Sequence, residues 1–92
     1  MNTPQAGEHV LPMPVKEMLV FLRTHQVDSY DLSEQIKRRE HMEVYQRIVE
    51  SAWPKRPNVD SRYKLMFVQE LASYSRCKII ERGKEAALVI CP

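Results

Sequence analysis

Ninety-two residues leave room for one domain with a small core, stable on its own only modestly or when completed by a partner. A chain that is 43% hydrophobic and 28% charged is not disordered throughout, and it holds no apolar run near the roughly 18 residues of a membrane span. Its formal charge of +2 is uneven: residues 1–50 carry six Lys/Arg against eight Asp/Glu, and residues 51–92 carry eight against four. A basic C-terminal half is what a nucleic-acid face would require, although splits of this size also arise by chance.

Residues 1–12 contain Pro4, Gly7 and Pro12 and little periodicity, so they are expected to form a flexible arm. Within it, residues 8–11 have the composition of a short edge strand. The start lacks the basic-then-apolar order of a secretion signal, so the expected location is cytoplasmic. Residues 13–92 are expected to form the single domain. Val15, Met18, Leu19 and Leu22 recur at helical spacing behind Pro14, which is harmless in a first turn, and predict a helix over 14–25. Asp31-Leu-Ser-Glu34 fits a capping box. It opens a second helix that carries Leu32, Ile36, Val44, Tyr45, Ile48, Val49 and Ala52 and stops before Pro54 and Pro57. A third helix is expected over 61–75, with Leu65, Val68, Leu71 and Ala72 on one face and Tyr63, Phe67, Leu71 and Tyr74 around another. That arc is wider than the roughly 100° stripe a surface helix needs, so the helix is either deeply buried or completed by another chain.

Two β-rich runs over 77–81 and 86–91 flank Arg82-Gly83-Lys84 and predict a hairpin, with Gly83 supplying a positive φ at the reversal. Apolar residues fall on both faces of these runs. The second face therefore needs a cover, from the arm, a second copy or a target protein. Cys77 and Cys91 lie at the two ends of the hairpin, where symmetric pairing brings them within bridging reach. Two cysteines in a reducing compartment are nonetheless expected to be free, small apolar thiols.

The chemistry-bearing residues do not cluster. His9, His25, His41, Cys77 and Cys91 are too far apart to match metal-site spacings. No serine lies in a glycine-rich elbow. Cys77, between Arg76 and Lys78, is the nearest thing to a reactive thiol. Glycines only at positions 7 and 83 rule out a phosphate-cradling loop. Carboxylate pairs such as Glu40 and Glu43 read as a solvated face. The expectation is a non-enzymatic protein with no catalytic residue, metal, cofactor or small-molecule substrate.

Three helices followed by a hairpin form an α+β chain whose element order over residues 14–91 resembles winged helix-turn-helix domains. That resemblance implies DNA binding through Arg62 and Lys64 at the start of the third helix, Arg82 and Lys84 at the wing tip, and backbone contacts from Lys55 and Arg56 beside Trp53. Against it, Leu65-Met-Phe-Val68 leaves few side chains suited to base edges. The leading expectation is therefore a small regulatory module that binds a protein partner, or itself as a homodimer, through Tyr63, Phe67, Leu71, Tyr74, Ile80 and Leu88.

Overall fold

The structure is a computed structural model that describes residues 11–92; the expected edge strand at 8–11 lies almost wholly outside the described residues. The chain is mixed α and β. Helix α1, Met13–Thr24, precedes strand β1, Ser29–Leu32; a 3₁₀ turn, Arg39–His41, leads into α2, Met42–Ser51. Strands β2, Arg56–Pro57, and β3, Tyr63–Phe67, follow, then a 3₁₀ segment, Val68–Tyr74, and strands β4, Lys78–Arg82, and β5, Ala86–Ile90. The five strands form one sheet in the order β2-β1-β3-β5-β4. Strand β1 is parallel to both β2 and β3, while β5 runs antiparallel to β3 and β4.

Helix α1 forms where the sequence places it. Pro14 sits in its first turn, and Val15, Met18, Phe21 and Leu22 turn one buried stripe to the sheet. It ends in a Schellman motif: Gln26 takes a positive φ of 53°, its N–H reaches the Arg23 carbonyl, and the Val27 N–H reaches that of Leu22 at 2.9 Å. The reversal frees the chain to enter β1.

From there the sequence expectations need correction. Asp31 caps no helix. It lies within β1, where Tyr30 and Leu32 alternate into the core, and helix returns only at Met42. The expected helix over 61–75 is a strand followed by a 3₁₀ segment. Tyr63, Leu65 and Phe67 point to one face of β3, with Lys64 and Met66 on the other. This is a period of two, which pairing with β1 and β5 rewards more than an isolated helix would be rewarded. Strands therefore interleave with helices, and the winged-helix order does not hold. Helix α1, the later part of the second helix and the C-terminal hairpin stand where expected.

The main core lies between the sheet and the two helices, formed by Val15, Met18, Leu22, Ile48, Leu65 and Leu88 among others. Tyr30 lies fully buried within it, and its hydroxyl has no hydrogen-bond partner among the described residues. A smaller cluster on the opposite face, Met66, Ala87 and Val89, is covered by Val68, Leu71 and Tyr74 of the 3₁₀ segment and by Cys77 and Cys91. Both faces of β5 are thus closed within one chain, so the cover expected from a second molecule comes from the chain's own 3₁₀ segment.

Two details of the hairpin also differ. Pairing of Lys78 with Ile90 brings Cys77 opposite Cys91, and the two are joined in a disulfide rather than remaining free thiols. Gly83 has no positive φ. Its constraint is space: a Cβ there would lie 2.5 Å from the Glu17 carboxyl. That carboxylate accepts the backbone N–H groups of Lys84, Glu85 and Ala86 at 2.8, 2.9 and 2.8 Å, tying α1 to the hairpin tip.

Candidate functional site

A concavity of about 880 Å³ opens beyond the carboxyl ends of the parallel strands β1 and β3, where open sheets commonly receive ligands. Five segments converge to wall it: Pro14 in α1, Glu34 and Gln35 after β1, His41 and Val44 at the start of α2, Phe67 to Glu70 with Ser73 and Tyr74 from the end of β3 onward, and Lys84 with Glu85 at the hairpin tip. The floor and walls mix apolar and acidic groups. Phe67, Val68, Val44 and Tyr74 supply the apolar surface, while Glu34, Glu70 and Glu85 outnumber Lys84.

Hydrogen bonds brace the walls against one another. The Ser33 hydroxyl, fully buried, donates to Glu70 Oε2 at 2.8 Å and accepts the Ile36 N–H at 3.4 Å. The same carboxylate oxygen accepts the Phe67 N–H at 2.8 Å, which is one half of a capping box at the start of the 3₁₀ segment. Ser33 and Glu70 thus lock the end of β1 to the end of β3. The His41 ring lies 4.8 Å from that of Phe67 in a tilted stack, holding α2 to the same strand end. Since the Ser33 oxygen is enclosed and committed to two hydrogen bonds, it offers no nucleophile to the cleft. What the arrangement supplies is a preformed, rigid, mildly acidic trough.

The electrostatics beside it are set by Glu17. Desolvation opposes its ionisation. The three tip N–H groups and the neighbouring Lys84 outweigh that and hold the carboxyl below its ordinary value. In the core, burial and the nearby Tyr45 push the Tyr30 phenol up to about 12.

The residues singled out from the sequence scatter. Of the six interface residues, Phe67 and Tyr74 enter the cleft. Tyr63 and Ile80 pack against the main core and Leu71 against the smaller cluster. Leu88 is 0% exposed, which removes it from any surface. The six basic residues do not form one wing-and-helix face. Arg56 and Arg62 lie at the ends where β1 and β3 begin, Lys84 lies past the far end, and Lys64 is paired with Asp31 at 3.5 Å. The Lys55 ammonium donates to the Leu22 carbonyl at 3.4 Å. Arg82 is exposed on β4. Sequence reasoning missed Ser33, Glu70 and His41. The one available signal was Glu70 three residues after Phe67, a spacing that fits a turn start as readily as a helix interior. Among the described residues no cluster of His, Cys, Asp and Glu is placed to hold a metal ion, and no helix is long and apolar enough to cross a membrane.

No family model, no curated protein and no solved structure matches this chain.

Proposed function

We propose that the protein is a non-catalytic binding module, and that the cleft beyond β1 and β3 takes a segment of a partner protein carrying an apolar side chain beside a basic group. One observation carries the reading: two aromatic rings, Phe67 and Tyr74, and three carboxylates meet in a single cavity whose walls are fixed by the Ser33–Glu70 bond. Aromatic anchors in a rigid pocket supply affinity at little entropic cost. A surplus of carboxylates steers a basic segment toward them. The same trough would serve self-association if the inserted segment came from a second copy. In this reading the protein works in the cytoplasm, and the observation against that location is the Cys77–Cys91 bond, because disulfides persist in oxidising compartments.

The test is covalent capture in the native cell. A photoreactive phenylalanine analogue replacing His41 or Gln69, both at the cleft, is expected to trap one partner protein. The adduct should disappear when Glu34→Lys and Glu85→Lys are added. An adduct of twice the chain's mass would mark self-association. Adducts formed equally from an analogue at Val20, exposed on α1, would sink the reading. Alkylation of thiols during extraction, followed by mass measurement, scores the disulfide and with it the proposed compartment.

A further inference from the structure

The helix-free face of β2, β1 and β3 carries an arrangement that the cleft does not use. Register places Ser29 beside Arg56 and Asp31 beside Lys64. Arg62 immediately precedes β3 and its Nε donates to the Cys91 carbonyl at 3.2 Å, while the Ser61 hydroxyl donates to the Ser29 carbonyl at 2.9 Å. Because alternate residues share a face, Arg56 and Lys64 project from the side opposite α1 and α2, and the exposed Arg62 stands just before β3. Lys37 reaches this face as well, 3.2 Å from Asp31.

Asp31 is the one carboxylate among these strand residues. It is 7% exposed, and its two oxygens face Lys37 and Lys64. The two arginines make no ion pair among the described residues. Further carboxylates, Asp28 and Asp60, lie in the loops before β1 and before β3 and are exposed. The face is thus positive.

An aromatic ring stands at each end of it. The guanidinium of Arg56 lies 4.8 Å over the Trp53 ring, and the Lys64 ammonium lies 5.0 Å over that of Tyr74. Trp53 is 63% exposed, a large indole left open where nothing in the fold requires it.

We infer that this face is a docking surface for single-stranded nucleic acid, with Arg56, Arg62 and Lys64 against phosphates and Trp53 as a stacking platform. Cations along a sheet with flanking aromatics are what sequence-tolerant single-strand binding uses. A duplex would keep its bases from the indole. An acidic peptide would match the charge and leave the ring idle. The inference is separable from the cleft reading at Trp53 and Arg56, which lie at the opposite rim of the sheet; the two share only Tyr74, which lines the cleft and carries the Lys64 ammonium over its ring.

The experiment is fluorescence anisotropy of a labelled oligothymidine of about 15 nucleotides, titrated with the intact chain at several salt concentrations. These three cations predict a log–log salt slope of about −2 at roughly −0.7 per phosphate contact. Arg56→Ala with Arg62→Ala should reduce that slope by about 1.4, while Arg62→Lys should preserve it. Trp53→Ala should weaken binding roughly 5- to 150-fold. His41→Ala, at the cleft, should change neither quantity. Circular dichroism confirms that each variant is folded. No anisotropy change at low salt would overturn the inference. So would equal binding by the Trp53 and arginine variants, or displacement by a polyglutamate peptide as effective as unlabelled oligothymidine.

Discussion

Adjacent residues on one strand, Leu65 and Lys64, belong to two different environments. Leu65 faces α1 and α2 in a closed apolar core. Lys64 faces the other way, onto Asp31 and the ring of Tyr74. The helix-covered face is a single packed layer. The opposite face is split: its β5 side is sealed by the 3₁₀ segment and the disulfide, and its β1 side is cationic. One face of the sheet is packed by the helices, and the β1 side of the other is held by the Asp31 ion pairs to Lys37 and Lys64.

Breaking the covered face should have the largest effect. Leu65→Ala is expected to cost about 2–5 kcal/mol by transfer and cavity terms, read from urea unfolding. Arg62→Ala on the open face should stay within about 0.5 kcal/mol. A small loss at Leu65 would mean that the two faces are not unequal as described.

The sealed half of the second face rests on its covalent link. Cys77→Ser with Cys91→Ser, or reduction, should lower stability by about 3 kcal/mol, the chain-entropy estimate for a loop of this length. The measurement is the shift in the denaturation midpoint between oxidised and reduced protein.

Glu17 joins the covered face to the hairpin tip, and its effect should depend on pH. Its folded pKa lies below the unfolded value of 4.5, so its contribution is present above that value and is lost as pH falls through the folded pKa. Glu17→Gln should therefore lower stability near neutrality by about 1 kcal/mol and flatten the decline below about pH 4.5. Gly83→Ala should have a similar effect without adding to it, because the new Cβ displaces the same carboxylate. Additive losses in the double variant would show that the two residues act separately.

Tyr30 gives the smallest effect, with the opposite sign. Its hydroxyl is buried without a partner, so Tyr30→Phe is expected to be neutral or stabilising by about 1 kcal/mol. The phenol's folded pKa of about 12 lies above its ordinary 10. The wild type therefore loses stability as pH rises from 10 toward 12, and the variant should lose less. Alkaline unfolding curves of the two proteins measure this.

Local patterns in the chain were sufficient for α1, for the α2 region beyond Met42 and for the C-terminal hairpin. The signals there are short-range: a first-turn proline, a 3.6-residue stripe and a six-residue apolar run. They were insufficient for residues 29–32 and 61–75. Asp31-Leu-Ser-Glu34 reads as a helix cap until parallel neighbours compete for its backbone. Tyr63-Lys-Leu-Met-Phe67 fits both periods, and only the β1 and β5 partners select the strand. Of the candidate site, Phe67 and Tyr74 were visible as surplus aromatics. Ser33, Glu70 and His41 were not, because they meet only when β1, β3 and α2 are assembled.

The amino-acid order by itself determined that the chain mixes α and β, where its first helix and last hairpin lie, and that its positive charge is concentrated late. The tertiary structure decided which face each side chain meets: that Leu88 is core, that Cys77 reaches Cys91, and that Lys64 meets Asp31. The physical reason is that strand pairing is non-local. The register between segments tens of residues apart, rather than any property of either segment, sets which side chains share a surface.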